Sequence, residues 1–500
     1  MSKRCRGLDL PELASVASFS VRISTSVGDH PAFLSLGFKR FVFKSAFTQR
    51  CAPVINLGVF MRIERRQFIQ SAAITGAAVG MPFVHAQSKG KRYRTALIGS
   101  GWWGMNILKE AMASGTIQPV ALCDVDQDKL EIAAEEVEDL SGAQVKTYTD
   151  FRELLDREEI EIAIVATPDH WHALNTIAAI DAGAHIFVEK PTGHTIAESR
   201  AMLEAARANN RVVQVGLHRR IGPHYVSGMD FLKQGNVGEI GLVKAFVHSQ
   251  GGAESPTANS EPPEQLDWDM YCGPAPLRPF NRKIHPGGFR NFLDFANGTL
   301  GDWGVHWLDQ ILWWTDEKYP QEVYSTGGRP IRGLPVLNEQ EQTTDAPDCQ
   351  IATYKFESFT AVWEHRRFAG SIEGQPSVGC YFYGTKGTFH MGWRDGWSFY
   401  PSDKNAKVIH QGAQHKEPDG HSIDLLWADF IKAIETGGRP TCDVQVGHDA
   451  TNLSLLGMLS LKAGRSIRWD GAAERVIGDN EANELLRRPY RGEWKYPGSV

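Results

Sequence analysis

Five hundred residues, 42% hydrophobic and 22% charged, have the composition of an ordinary soluble globular chain with room for two or three domains. The formal charge of −6 comes with no basic run and no interleaving of basic with aromatic residues, which argues against a nucleic-acid partner. The cysteines, Cys5, Cys51, Cys123, Cys272, Cys349, Cys380 and Cys442, are scattered without a C-x-x-C pair, so neither a zinc site nor a disulfide framework is indicated.

Residues 1–60 show no clear periodicity and are expected to be an over-extended start, with synthesis beginning at Met61, or a disordered leader. From there the chain reads MRIERRQFIQSAAITGAAVGMPFVHAQS. It has a charged start with Arg65-Arg66, an apolar stretch from Phe68 to Val84, and an A-x-A-like cleavage site at Val84-His85-Ala86. E-R-R-Q-F-I-Q resembles the twin-arginine export signal. Residues 61–86 are therefore expected to be a removed leader and the mature protein to be periplasmic or otherwise extracytoplasmic, with no membrane association once the leader is gone. The competing reading is a buried or membrane helix, which the glycines, alanines and modest hydrophobicity fit less well. Both leader segments are basic, so their loss makes the remainder more acidic.

Over 87–215, apolar strands alternate with helical patterns, which predicts a parallel sheet covered on both faces. The first strand, Thr95–Ile98, runs into Gly99-Ser100-Gly101-Trp102-Trp103-Gly104, a G-x-G-x-x-G turn. The first glycine permits a tight turn, the second lets backbone approach a pyrophosphate, and the third lets the next helix pack on the strand. That helix offers free N–H groups to phosphate. Alone the motif is weak; a glycine turn in any βα unit would look similar. Its context is stronger, because a second strand, Val120–Cys123, ends in Asp124 about 20 residues further on, where a ribose-binding acid belongs. A carboxylate there opposes a 2′-phosphate, so NAD is expected rather than NADP. Trp102 and Trp103 are candidates to help hold it.

Later strands end in candidate functional residues. Thr167-Pro168-Asp169-His170-Trp171-His172 follows Ile162–Ala166, and Glu189-Lys190-Pro191 follows His185–Val188. The His-x-His pair lacks a third ligand at suitable spacing, so no metal is expected, and Thr167, Pro168 and His172 are expected over the nicotinamide half of the cofactor. Lys190 could donate to a substrate oxygen or move a proton, although a lysine is more often merely solvated. Beyond 216 the strand-like runs cluster (Ile240–His248, Gln350–Phe356, Phe359–Arg366, Val378–Tyr383, Gly387–Met391), which predicts an α+β domain with a largely antiparallel open sheet through residue 500 and a C-terminal arm over Leu485–Pro497. Asp302 and His306 are four apart, so on a helix they share a face, with Trp303 and Trp307 beside them. His306 could take a proton from a hydroxyl; equally, it could be a buried histidine satisfied by Asp309. Arg220, Arg290 and Trp303 are candidate substrate residues.

GSGWWG, TPDHWHA, EKP, GDWGVHWLD and GTKGT, in this order and spacing, resemble the Gfo/Idh/MocA oxidoreductase superfamily from about residue 92 to the end. The resemblance implies an N-terminal Rossmann domain followed by the α+β domain, with Lys190 between nicotinamide and substrate. It implies His306 as general base and Asp302 in binding or proton relay. It also implies a sugar, cyclitol or related polyol as substrate, and a homodimer or homotetramer formed through the second domain's sheet. Export adds a constraint, because an exchangeable NAD pool is not expected outside the cytoplasm. A tightly held cofactor with redox-neutral turnover is therefore expected. One form is similar to glucose–fructose oxidoreductase. Another is similar to the superfamily's NAD-dependent glycosidases, which oxidise transiently, eliminate, add water and reduce again. A nucleotide-bound sugar-binding protein without turnover fits the joint presence of Lys190, Asp302 and His306 less well.

Overall fold

The computed structural model describes residues 91–497; the expected leader and the segment before it lie outside them. Six strands form a wholly parallel sheet: β1 (Tyr93–Ile98), β2 (Ile117–Cys123), β3 (Lys146–Tyr148), β4 (Ile162–Val165), β5 (His185–Val188) and β6 (Val213–Val215). Their order is β3-β2-β1-β4-β5-β6, which is the doubly wound arrangement the alternation predicts. The order reverses between β1 and β4, and a crevice opens at that switch point beyond the strands' C-terminal ends. Every residue of β4 is buried, as expected for a strand with helices on both faces.

The intervening helices are α1 (Trp102–Ala113), α2 (Gln127–Ser141), α3 (Phe151–Arg157), α4 (His172–Asp181) and α5 (Ile196–Ala208). Their starts follow from local chemistry. Asp126 caps α2 through Lys129 N–H, Asp150 caps α3 through Arg152 N–H, and Thr195 with Glu198 makes a reciprocal capping box on α5.

After α6 (Pro223–Lys233) comes a second, mixed sheet. Its strands are β7 (Ile240–His248), β8 (Glu322–Gly328), β9 (Cys349–Lys355), β10 (Thr360–Arg366), β11 (Val378–Gly384), β12 (Gly387–Gly392), β13 (Trp397–Pro401), β14 (Ile409–Gln411), β15 (Ile467–Asp470) and β16 (Arg475–Val476). The order is β14-β13-β12-β11-β7-β10-β9-β8-β15-β16. Only the β7–β10 pair is parallel, so the sheet is largely antiparallel, as expected. Gly384 pairs with Gly387 across the expected hairpin turn. Unanticipated strands β8 and β13–β16 are short or of mixed composition, which weakens the alternation that would reveal them.

Alternation fixes the two faces of this sheet. Val243, Ala245, Ala352, Tyr354, Ala361 and Trp363 point inward and share a core with Trp307 and Leu308 of α7 (Val305–Trp314) and Leu455 and Leu459 of α9 (Val444–Ala463). Leu242, Tyr324, Ile351, Tyr383 and Tyr400 lie on the opposite face and are exposed.

The chain also crosses back. α8 (Ile423–Thr436) buries Ile423, Leu426, Trp427 and Phe430 in the core of the first sheet, although it follows the second sheet's strands in sequence. The C-terminal arm closes on the first domain: Arg488 Nε donates to Glu198 Oε1 at 2.9 Å, the Tyr490 hydroxyl to the same oxygen at 2.8 Å, and Arg488 Nη2 to the His170 carbonyl at 3.2 Å. Arg488→Met leaves the buried Glu198 carboxylate without its cation. It should lower stability by about 3 kcal/mol, read as a lower urea midpoint.

Candidate active site

The G-x-G-x-x-G turn is built as its sequence requires. Gly99 has φ +95°, and an added Cβ would lie 2.7 Å from the Ala166 carbonyl oxygen. A Cβ on Gly104 would lie 2.1 Å from the Gly99 carbonyl oxygen, so that glycine seats α1 against the turn. Gly101 has open space where its Cβ would be, and it begins α1 with neither a capping side chain nor an acid in the first turn. The helix N-terminus is thus left free for an anion. Asp124 accepts Ser100 N–H at 2.7 Å and Asp126 N–H at 3.0 Å. Burial raises its carboxyl above the ordinary range despite these donors. This loop with an open Gly101 and a fixed acid at the end of β2 fits a dinucleotide.

A cavity of about 740 Å³ runs from this turn into the second domain. Gly99, Gly101, Trp102, Trp103, Asp124, Thr167, Pro168, His172, Glu189, Lys190, Arg290, Asp302, Trp303 and His306 all line it. Ser100 and Gly104 do not; they shape the turn from behind. Trp102 is 77% exposed at the rim, while Trp103 sits edge-on to His218.

Lys190 Nζ donates to Asp302 Oδ1 at 2.7 Å and to the Asp302 carbonyl at 3.0 Å, and Arg290 Nε donates to the same carboxylate oxygen at 3.2 Å. Asp302 lies in a π turn, Leu300–Gly304, that precedes α7. Such a turn disrupts the regular backbone ladder and leaves a carbonyl available to Lys190. Burial raises the Asp302 carboxyl, but Lys190 and Arg290 outweigh it and hold the group below its ordinary value. Lys190 is fixed in turn. Thr192 N–H donates to Thr451 Oγ1 at 3.1 Å on α9, and the two ring nitrogens of His172 face the carbonyls of Pro191 at 2.6 Å and Thr167 at 2.7 Å. Burial lowers the His172 pKa, so the neutral ring donates one N–H to one of these carbonyls and packs its other nitrogen against the second, sitting between the two loops.

The π turn also separates Asp302 from His306, and no hydrogen bond joins them among the described residues. Asp309 does not satisfy His306 either, because it pairs with Arg220, whose Nε donates to it at 2.9 Å. Arg220 is thereby corrected as a candidate substrate residue: it is locked onto a buried carboxylate and does not line the cavity. Burial, reinforced by Arg219, His218 and Lys190, holds the His306 ring well below its ordinary pKa. Its Nδ1 is buried without a partner, which leaves Nε2 to face the cavity.

Sequence reasoning missed His218, Arg219, Trp393 and Asp419, which also line the cavity. His218 and Arg219 stand just past β6, and the rule that ligands gather at parallel strand ends was a usable signal. Trp393 and Asp419 arrive on loops with no local pattern. Trp393 meets Trp303 edge to face, with centroids 5.1 Å apart. Asp169 is another cavity acid. Burial, against Arg290 and Lys190, pushes its carboxyl up to about 7, and its Oδ2 has no hydrogen-bond partner.

A family model described as "Oxidoreductase family, NAD-binding Rossmann fold" matches residues 93–217. Two models described as "Oxidoreductase family, C-terminal alpha/beta domain" match 243–328 with 411–496, and 290–451. A "Glycosyl hydrolase family 109 protein" of Stenotrophomonas maltophilia is 29% identical over 222 residues, 42% of this chain and 48% of that protein. An "Inositol 2-dehydrogenase" of Salmonella typhimurium is 28% identical over 148 residues, 29% of this chain and 43% of that one. The chain thus spans about half the length of these curated relatives. Among solved structures, levoglucosan dehydrogenase in complex with NADH and L-sorbose superposes with a TM-score of 0.59 at 20% identity, covering 76% of this chain and 99% of that one, a likeness of fold.

A buried acid whose folded pKa is raised stabilises the fold at low pH, and that contribution is lost as pH rises from about 4 through about 7. Asp169→Asn should therefore lose less melting temperature between pH 5 and pH 8 than the parent, as read by calorimetry.

Proposed function

The chain belongs to the Gfo/Idh/MocA oxidoreductase superfamily, and we propose that it oxidises a hydroxyl of a sugar, cyclitol or related polyol with NAD. The observation that carries this reading is the convergence of Lys190, Asp302 and His306 on the cavity that the glycine turn opens. When bound there, NAD supplies the hydride acceptor. His306 Nε2 takes the hydroxyl proton, and its depressed pKa keeps the ring neutral and able to do so. Lys190, aimed by Asp302, polarises the same oxygen. Arg290 stands beside them, and the Trp303–Trp393 pair supplies an aromatic wall suited to a sugar ring.

Retention of the cofactor has its own support. A second-domain loop is stitched across the ribose end of the groove: Gln127 N–H donates to the Gln265 carbonyl at 3.0 Å, Asp267 N–H to the Val125 carbonyl at 2.9 Å, and His285 Nε2 lies 2.8 Å from Asp126 Oδ2. With the twin-arginine motif, this favours a dinucleotide loaded before export and kept. Protein recovered from the periplasm should begin at Gln87 and release a nicotinamide dinucleotide on denaturation.

The likeness to a glycosyl hydrolase family 109 protein keeps a second reading, a redox-neutral NAD-dependent glycosidase. Aryl-glycoside hydrolysis without added NAD would select it; net NADH formation from a free polyol would select the dehydrogenase. Under either, His306→Ala should lose about 100-fold or more in kcat while retaining the nucleotide. Undiminished turnover would remove His306 as the base.

The exposed Leu242, Tyr324, Ile351, Tyr383 and Tyr400 on one sheet face support a homodimer or homotetramer joined there. Tyr383→Glu with Tyr400→Glu should reduce the mass seen by light scattering.

A further inference from the structure

Resting on the oxidoreductase reading above, we propose that His218 and Asp419 are positioning residues that act through His306 and carry away the proton it takes from the substrate hydroxyl. The His218 and His306 ring centroids are 4.7 Å apart, with planes 43° to one another. Both rings line the cavity, at 4% and 5% exposure. On its far side His218 Nε2 lies 3.1 Å from Asp419 Oδ1, an ion-pair contact rather than an aligned hydrogen bond, and Asp419 Oδ2 accepts from Trp393 Nε1 at 3.1 Å. Asp419 retains 23% exposure of its side chain. The three groups therefore lead from a buried ring to the surface.

The carboxylates nearest His306 in sequence cannot serve this purpose. Asp302 is held by Lys190 and Arg290, and Asp309 by Arg220. A proton on His306 creates a cation in a buried setting already facing Lys190 from the loop after β5 and Arg219 from the segment after β6. Asp302 faces Lys190 rather than the ring. Asp419 is the acid that favours charge on His306, and it also lies 3.6 Å from Arg219 Nε.

The proton balance is simple. The hydroxyl O–H bond breaks and its proton joins His306 Nε2; because His306 Nδ1 is buried without a partner, the proton leaves by the same nitrogen and reaches His218 through solvent in the cavity that both rings line. From the Nε2 side of His218 a proton passes to Asp419 and on to water. The C–H electron pair leaves as hydride to the NAD of the proposed reaction, which is the two-electron oxidant, so no other is required.

Two variants of the cofactor-loaded protein test this, Asp419→Asn and His218→Gln. The His306 ring titration by nitrogen-labelled NMR, without substrate, should move to lower pH in Asp419→Asn, because a carboxylate that favours its imidazolium is gone. In turnover both variants should lose about tenfold or more in kcat and gain a larger solvent deuterium effect. The acidic limb of the kcat profile should move to lower pH in Asp419→Asn. An unchanged His306 titration in Asp419→Asn, or parental kcat and isotope effect in both variants, would overturn the relay. A His306 titration lowered by Asp419→Asn in a protein that reduces no NAD with any polyol would support the Asp419–His306 coupling and count against the oxidoreductase reading alone.

Discussion

The site depends on one ion pair. Lys190 comes from the end of β5 and Asp302 from the turn before α7, so their 2.7 Å contact joins the two domains where the cavity lies. The side chains are 12% and 19% exposed, and such a pair forms only where further donors offset the loss of water. Arg290 and the Asp302 carbonyl supply that compensation. The lysine is thus held by an acid and aimed by it, and the flanking Thr192–Thr451 and His172 contacts prevent either loop from drifting.

That pair sorts the surrounding titratable groups. Two carboxylates share the same cations but diverge: Asp302, hydrogen-bonded to them, is pulled down, and Asp169, acted on only through space, is carried up by burial. His306, buried among cations, stays neutral. A neutral base, an ionised acid bound to lysine and an acid near neutrality therefore meet in one cavity. Environments that push such values apart are how a single pocket acquires distinct proton donors and acceptors.

The architecture explains why this arrangement can be rigid. α8 returns from the second sheet into the first core, α9 contacts β6 and α5 as well as α7 and β8, and the C-terminal arm clamps Glu198 and His170. The loop over Asp126 adds backbone bonds at the ribose end. The two domains are interleaved by chain crossings, so the crevice is bounded by packed elements on both sides.

Local patterns were legible in the residues alone: the parallel sheet from continuous apolar strands, the glycine turn from three spacings, the hairpin at Gly384–Gly387, and Lys190 and His306 as cavity residues. The sheet, the glycine turn and the hairpin are short-range consequences of steric or hydrophobic periodicity, whereas Lys190 and His306 followed from a strand end and from the resemblance. Helical spacing misjudged the surroundings of His306, because a π turn intervenes and both neighbouring acids find arginine or lysine partners from distant segments. Arg220 looked free for substrate until folding set it on Asp309, while His218 and Asp419, 201 positions apart, acquired meaning only when β6 and the 417–420 loop converged. Periodicity dictates which face a residue occupies; charge pairing across the fold decides which of those residues remain available for chemistry.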